Sequence, residues 1–382
     1  MTNLHQFAIE MGEFNDSSLL AGSGVALPLC SLTWSGSPII DGRIVRADYG
    51  DLLVLTKDGT LHGIDFAART CKALCTVDLP HIPPDGEAPK YRAYRLHAAL
   101  EGRYAAIVID RGREGVIVEV PGGKVTMRLD GGHYCEDTVP FSACFVRHEG
   151  HDVLVHRTDW NRLDASDPGT GKLLTERDEP VFEDGKSVED YHLDYFHGEL
   201  LPSPNGSRLL DDGWVWHPVS IPRAWSVTDW LTFNPWESEN GASAINLTMR
   251  RDWGPPACWI DEQHVALWGL ENWDDEIYDD SEGAVDGPGV RILDVTTTVR
   301  FPNSRWPMAG ADDRVVEIFS DGSRLYVAAI SGTTVWDIAS RMQILSLPGF
   351  AGRLHEPTRG MIFAIESDRI SALQLPWRGV TY

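Results

Sequence analysis

The chain alternates short apolar runs with polar turns, and one order of runs and turns recurs. The clearest copy is DGSRLYVAAISGTTVWDIASRMQILSLPG, residues 321–349. There, RLYVAA and TTVWDI have the composition of strands, and Ser331-Gly332 predicts a tight turn between them. Asp337 closes the second run, and a polar turn then leads into a third apolar run, MQILSL. The pattern predicts an antiparallel sheet of short strands.

Six other units repeat this order, at residues 50–78, 102–130, 151–178, 191–218, 264–301 and 360–376. The spacing between equivalent strands ranges from 36 residues (325 to 361) to 61 residues (264 to 325). Spacings of this size surround the repeat length of propeller blades. A sheet of three or four strands cannot bury both of its faces alone, whereas seven sheets stacked around an axis can. The repeats therefore predict a closed, all-β ring.

The fourth unit, YHLDYFHGELLPSPNGSRLLDDGWVWHP, combines the repeat with a dense set of His, Asp and Trp residues. In this unit Pro204-Asn205-Gly206 predicts a hairpin turn, Arg208–Leu210 a second strand and Trp214–Val219 a third. Several other units carry an aspartate after the third strand. We expect these aspartates to cap the following turn by accepting hydrogen bonds from backbone amides; they are Asp65, Asp294 and Asp337.

Two stretches carry a resemblance to a known family. SRLYVAAISGTTVWDIASRM resembles a unit of a WD-repeat or related seven-bladed β-propeller, and ELLPSPNGSRLL resembles the turn of such a unit. The resemblance implies an all-β fold in which residues 1–382 form a single β-propeller domain. It also implies that a strand from residues 1–34 closes the ring by joining the C-terminal blade. The blades are predicted at residues 38–79, 91–130, 141–182, 191–232, 253–302, 306–348 and 349–376.

Composition narrows the choice of partners. The chain has 33 Lys and Arg against 57 Asp and Glu, a net charge of −24. Such a surface repels phosphate backbones and anionic lipids, so we expect neither nucleic acid nor membrane as a partner. The six cysteines include no CxxC pair, the N-terminus has no basic segment followed by an apolar run, and the longest apolar runs are too short to span a bilayer. These features favour a cytoplasmic protein with reduced thiols.

Two segments interrupt the repeat and form the candidate partner surface. ENWDDEIYDDSEGAVDGPG, residues 271–289, places two aromatic residues among many acids, a combination typical of interface anchors. WVWHPVSIPRAWSVTDWLTFNPWESENG, residues 214–241, holds more Trp than strand packing requires. The alternatives are a solvated acidic loop or a divalent-cation loop for the first segment, and a structural cap on one face for the second. The predicted partner-binding residues are Trp225, Trp230, Trp236, Trp273, Asp274, Asp275, Glu276, Tyr278, Asp279 and Asp280.

The first strand of the fourth unit is a candidate ligand site. In an extended strand, His192 and Asp194 project to one face and His197 to the other, so only two of the three could share an ion. Catalytic zinc sites typically use three protein ligands, and no HExxH, CxxC or HxH spacing supplies the rest. We therefore expect no metal and no cofactor, and we keep His192, Asp194 and His197 as channel or ligand candidates.

The leading functional hypothesis is a non-catalytic scaffold that presents loop surfaces of a β-propeller to another protein, with a basic surface favoured on that partner. An alternative is a hydrolase or lyase with its site in the central channel, and a further alternative is a small-ligand or metal sensor. Fold alone does not decide among them. A hydrogen-bonded cluster of carboxylates and His at the axis would favour the enzyme, with these residues as sources: Asp48, His97, Asp194, Asp261 and Glu317.

Overall fold

The computed structural model describes residues 12–82, 92–137, 140–178, 193–215, 219–250, 254–270, 287–297, 304–312 and 314–378, with the backbone of 182–183 and 186–187. The chain begins with an antiparallel hairpin of two nine-residue strands, β1 (Gly12–Leu20) and β2 (Ala26–Trp34). Seven sheets follow in sequence order, and we number them as blades 1 to 7.

The first three blades follow directly in the chain. Blade 1 contains β3 (Ile39–Ala47), β4 (Gly50–Thr56), β5 (Thr60–Asp65) and β6 (Thr70–Thr76). Blade 2 contains β7 (Ala93–Ala98), β8 (Tyr104–Asp110), β9 (Glu114–Glu119) and β10 (Lys124–Asp130). Blade 3 contains β11 (Ala143–His148), β12 (His151–Asp159) and β13 (Arg162–Ser166). A two-stranded hairpin then precedes blade 4, formed by β14 (Phe182–Glu183) and β15 (Lys186–Ser187).

Blade 4 is the irregular one, since two short helices lie between its third and fourth strands. Its elements are β16 (Phe196–Pro202), β17 (Arg208–Val215), β18 (Val219–Ser220), β19 (Arg223–Ser226), α1 (Val227–Thr232), α2 (Glu237–Asn240) and β20 (Ile245–Asn246). The strand predicted at Trp214–Val219 is therefore wrong. The second strand continues through Trp214, because Asp211 and Asp212 are buried and hydrogen-bonded instead of forming a turn.

The last three blades complete the ring. Blade 5 contains β21 (Ala257–Trp259), β22 (His264–Trp268), β23 (Gly289–Asp294) and β24 (Arg305–Pro307). Blade 6 contains β25 (Val315–Ser320), β26 (Arg324–Ala329), β27 (Gly332–Asp337) and β28 (Met342–Pro348). Blade 7 contains β29 (Leu354–Glu356), β30 (Met361–Ile365) and β31 (Arg369–Gln374). On its outer side, β31 pairs antiparallel with β2, and β1 adds a fifth strand.

Apolar side chains fill the wedges between neighbouring blades. Each adjacent pair of blades shares one hydrophobic cluster, including blades 7 and 1, where Leu32 and Phe363 pack near Leu52. The second strands are buried almost throughout, as in Leu52–Leu55 of β4 and Ala105–Val108 of β8. The predicted all-β, seven-bladed propeller is confirmed.

The strand order fixes two faces of the ring. The first strand of each blade is innermost, because the first strands of neighbouring blades contact one another. We define the upper face as the one that carries the connections from second to third strands and between blades. The lower face carries the connections from first to second and from third to fourth strands. This division decides which candidate residues can meet.

Candidate interaction face

The partner-binding candidates come from two segments of the chain, and the structure describes the one that contains Trp225, Trp230 and Trp236. Helices α1 and α2 follow the third strand of blade 4 and so lie at the lower face. The predicted residues at 273–280 lie outside the described residues, but the strands that flank them, β22 and β23, meet the intervening segment at the upper face. The described strand ends next to 271–286 and the helices α1 and α2 thus lie at opposite faces of the ring.

Two of the predicted Trp anchors are core residues. Trp225 is 0% exposed and Trp230 is 1% exposed, and their rings meet edge to face at 6.0 Å inside the cluster shared by blades 3 and 4. The indole N–H of Trp230 donates to the carbonyl of Pro235 at 3.0 Å. Neither side chain is available to a partner, so their assignment as partner-binding residues is corrected. Their apolar area holds α1 against the blade instead.

Trp236 is partly exposed, and buried charged side chains lie next to it. The guanidinium of Arg177 lies over its ring, 5.1 Å from the centroid. Arg177 also donates to a carboxylate oxygen of Asp164 at 2.5 Å, to the carbonyl of Leu163 at 2.7 Å and to the carboxylate of Glu239. The side chains of Arg177, Asp164 and Glu239 are 1%, 4% and 5% exposed. This buried network fixes α2 to blade 3.

The three ligand candidates in the fourth unit are not brought together. Asp194 is exposed at the upper face, His197 is buried within blade 4, and His192 lies outside the described residues. The Nδ1 atom of His197 lies 2.6 Å from a carboxylate oxygen of Asp211, whose other oxygen accepts from the backbone amide of Gly198 at 2.8 Å. His197 is 1% exposed and cannot receive a ligand from the channel, so that assignment is corrected.

The upper face between blades 3 and 4 carries an aromatic surface that the sequence hypotheses did not single out. We call it the aromatic patch, and it consists of Tyr134, Trp160, Phe196 and Trp214. The rings of Phe196 and Trp214 stack at 4.4 Å, Trp160 meets Phe196 at 4.7 Å, and Tyr134 meets Trp160 at 5.3 Å. Phe196 and Trp214 are buried, at 1% and 3% exposed, whereas Tyr134 is 51% exposed. A half-exposed ring is thus supported by a stack that reaches the core.

Local chemistry explains why these four rings meet. Tyr134 lies in the connection from blade 2 to blade 3, and Trp160 lies in the turn between β12 and β13. A carboxylate oxygen of Asp159 accepts from the Trp160 amide at 2.7 Å, and the side-chain amide of Asn161 donates to the carbonyl of Leu193 at 2.8 Å. These bonds tie the blade 3 turn to the chain that enters blade 4. The signal in the sequence was an aromatic residue within a polar turn, Asp159-Trp160-Asn161.

Carboxylates surround the aromatic patch. Asp137, Asp159 and Asp194 are exposed, and none forms an ion pair with another described residue. Arg113, the neighbouring cation, lies 3.8 Å from Asp130, and its guanidinium also faces Glu136. Beneath the patch, Arg157 is buried, and burial lowers its pKa to about 10. The accessible charge around Tyr134 is therefore mainly negative.

Among the described residues of the central channel, some charged side chains form ion pairs, and the carboxylate of Glu317 stands apart from them. Arg95 of blade 2 lies 3.2 Å from Glu199 of blade 4, across the channel. Glu317 of blade 6 forms no ion pair among the described residues; its carboxylate accepts from the Ile318 amide at 3.2 Å. Burial, followed by the negative charge of Glu199, raises the pKa of Glu317 to about 7.

The other residues proposed for a channel enzyme are dispersed. His97 is enclosed near Arg43 and Arg95, and burial holds its pKa well below the usual range, while its Nε2 atom has no hydrogen-bond partner among the described residues. Asp48 is exposed in the turn between β3 and β4, and Asp261 pairs with His264 at 2.9 Å in the turn between β21 and β22. Both turns belong to the lower face, away from Glu317.

Within the described ranges, no group of three or more His, Cys, Asp and Glu side chains is arranged to hold a metal ion. Within those same ranges, no helix has the length and apolar character needed to cross a bilayer.

Comparison with known proteins shows which folds are similar to this one. The ring of seven antiparallel sheets defines the class of the protein as a seven-bladed β-propeller. No family model matches the chain, and no curated protein matches it. The β-propeller domain of Cps50 (Swd1) from Myceliophteria thermophila is similar in structure, with a TM-score of 0.51, 12% identity, and coverage of 90% of this chain and 98% of that one. A chain of the mitotic checkpoint complex has a TM-score of 0.49, 10% identity, and coverage of 89% and 92%. At 12% identity the likeness to Cps50 concerns the fold alone.

Proposed function

We propose that the protein is a non-catalytic interaction scaffold that binds a basic segment of another protein on its upper face, at the aromatic patch. The observation that carries the proposal is the half-exposed Tyr134 ring, supported by stacked rings and surrounded by unpaired carboxylates. Rigid aromatic anchors of this kind supply most of the binding energy at protein interfaces. A Lys or Arg side chain over Tyr134 would gain both a cation–π contact and charge attraction.

The acidic residues at 271–286 extend the proposal along the same face. Their flanking strands belong to blade 5, which is next to blade 4, and both strands open toward the upper face. We also propose a cytoplasmic location, in agreement with six free cysteines. Trp236, at the lower face, stays a prediction for a second and separate contact.

The test compares two exposed aromatic residues on opposite faces. Tyr134→Ala removes the anchor of the aromatic patch, while Phe233→Ala, at a residue 78% exposed after α1, is the matched control on the lower face. Partners would be isolated from extracts of the native host with each form of the protein, and affinities measured with the purified partner. We expect Tyr134→Ala to weaken binding about 30-fold, the effect of losing roughly 2 kcal/mol at an anchor.

Charge gives a second measurement on the same complex. Replacing Asp137, Asp159 and Asp194 together by Asn should slow association and reduce its dependence on salt, since exposed charges steer encounter. The proposal would be wrong if Phe233→Ala weakened binding as much as Tyr134→Ala, or if the captured partner met the patch with a segment that has no Lys or Arg.

A further inference from the structure

A second surface feature lies far from the aromatic patch, where the last blade meets the first. We call it the seam cleft, and it has a volume of about 630 Å³. Its apolar wall includes Leu29 of β2, Phe66 of blade 1 and Met361 of blade 7, and its charged wall includes Asp65, Arg359 and Arg378. The volume is in the range of pockets that enclose small ligands, about 300–1,000 Å³.

Two ion pairs join blade 1 to blade 7 at this cleft. Arg359 lies 2.6 Å from a carboxylate oxygen of Asp51, and Arg69 pairs with Asp16 of β1. These pairs neutralise four of the charges around the cleft. Each pair has one partner on blade 1 and the other on blade 7 or its added hairpin. The cleft therefore exists only when both ends of the chain are assembled.

One cation and one anion of the seam cleft have side-chain atoms that can still bond to a ligand. Arg378 is exposed and has no ion pair or hydrogen bond with the described residues. Its backbone packs on Gly360, since a Cβ at that glycine would lie 3.4 Å from the Arg378 Cα, and this places it beside Arg359. One carboxylate oxygen of Asp65 accepts from the Ala68 amide at 2.8 Å, which leaves the other oxygen free.

We propose that the seam cleft binds a small zwitterion with an apolar side chain, either an amino acid or a short peptide with free ends. The ammonium group would pair with Asp65, the carboxylate with Arg378, and the apolar part would cover Leu29, Phe66 and Met361. Charge-assisted bonds of both signs fix the orientation of such a ligand. A simple anion would meet the carboxylates of the cleft, and a simple cation would meet its guanidinium groups, so a ligand with both charges is favoured.

Binding at this place has a structural consequence. The walls come from the N-terminal hairpin and from the first and last blades, so a ligand would contact both ends of the chain at once. A ligand that binds only the folded ring stabilises it by mass action. Occupancy of the cleft should therefore raise the thermal stability of the whole protein. This inference does not depend on the aromatic patch or on any protein partner.

The experiment measures thermal denaturation of the full chain with defined probes. The probes are the dipeptide leucyl-leucine, its N-acetylated form, its C-terminal amide, and free leucine. We expect leucyl-leucine or leucine to raise Tm by about 2 °C or more at saturation, and the two blocked peptides to have no effect. A response to leucine alone would identify an amino-acid site, and a response to the dipeptide alone would identify a peptide site.

Matched variants locate the effect. Arg378→Gln and Asp65→Asn should abolish the rise in Tm. Arg369→Gln removes an exposed guanidinium from the other end of β31, and Asp337→Asn changes the equivalent turn aspartate of blade 6, so both should keep it. Isothermal titration of each folded variant checks binding directly. The proposal is overturned if no probe binds, if the blocked peptides bind as well as the free ones, or if Arg378→Gln binds like Arg369→Gln.

Discussion

Blades 6 and 4 use polar side chains in opposite ways. In blade 6 the four strands are joined by short turns, and the buried carboxylate of Asp321 caps one of them by accepting from the amides of Ser323 and Arg324 at 3.0 and 2.8 Å. The hydroxyl of Tyr326 donates to the same side chain at 2.7 Å. Apolar side chains such as Val327 and Trp336, packed against the neighbouring blade, also stabilise blade 6. The buried carboxylate of this blade thus caps backbone amides, in addition to pairing with Arg324.

Blade 4 instead contains buried polar side chains that pair with one another. Arg250 pairs with Asp212, His197 with Asp211, and the Arg177 network holds α2. A buried charge that loses its partner is costly, whereas an apolar contact that is lost costs only its area and the cavity left behind. Blade 4 should therefore tolerate single substitutions less well than blade 6.

The most damaging single change should be Arg177→Ala. It leaves the buried carboxylate of Glu239 without its cation and leaves Asp164 paired with Arg162 alone, and the loss of a buried partner costs about 3–5 kcal/mol of unfolding free energy. The matched variant in blade 6 is Arg324→Ala, which removes an arginine that pairs with Asp321 at 3.0 Å but is 24% exposed. Chemical denaturation of both variants measures the difference. Equal losses would show that the two blades do not differ in the way described.

The second prediction concerns the channel carboxylate of blade 6 and its dependence on pH. Burial raises the pKa of Glu317 to about 7 from an ordinary value of 4.5, with Glu199 adding to the shift and Arg43 and Arg353 opposing it. The folded state thus binds the proton more tightly than the unfolded state. The stability linked to this proton is full below pH 4.5 and is lost as the pH rises to about 7. The loss amounts to about 3 kcal/mol, since one pKa unit corresponds to about 1.4 kcal/mol.

Glu317→Gln should remove that loss. The variant should match the wild type near pH 5 and exceed its unfolding free energy at pH 8, as measured by urea denaturation at both values. Glu356→Gln is the control with the opposite sign, because hydrogen bonds from Thr358, the Arg359 amide and Arg46 lower the pKa of Glu356 against its burial. That variant should lose stability above pH 4.5. A wild type equally stable at pH 5 and pH 8 would contradict the role assigned to Glu317.

The fold could be predicted because its signals are local and repeated. Strands such as Arg324–Ala329 alternate with turns whose Asp and Gly residues can be recognised one by one, and the count of such units gives the number of blades. The capping aspartates were also predictable: Asp65 accepts from the Ala68 amide at 2.8 Å and Asp294 from the Thr296 amide at 2.7 Å. Each of these depends on chemistry within a few residues.

The candidate site could be predicted only in part, because it depends on contacts between distant segments. Trp225 and Trp230 looked like loop anchors since their neighbours are polar, but packing against blade 3 buries them. Tyr134 and Phe196 are 62 positions apart in the sequence (196 − 134), yet their rings stack at 5.9 Å. No local pattern reports which loop of blade 2 meets which strand of blade 4. The division into upper and lower faces likewise requires the strand order.

The smallest effect should come from changing Asp337, the exposed aspartate that caps a turn of blade 6. Asp337 accepts from the amide of Ser340 at 2.7 Å and from its hydroxyl at 2.6 Å, and these bonds lower the pKa of Asp337. Asp337→Ala should lower Tm by about 1–2 °C at neutral pH, because an exposed turn can replace the lost acceptor with water. The stability that depends on its negative charge is lost as the pH falls below 3.8, so the two melting curves should approach each other in acid. A loss as large as that of Arg177→Ala would mean that blade 6 also depends on single polar contacts, and that its apolar wedges contribute less than its burial indicates.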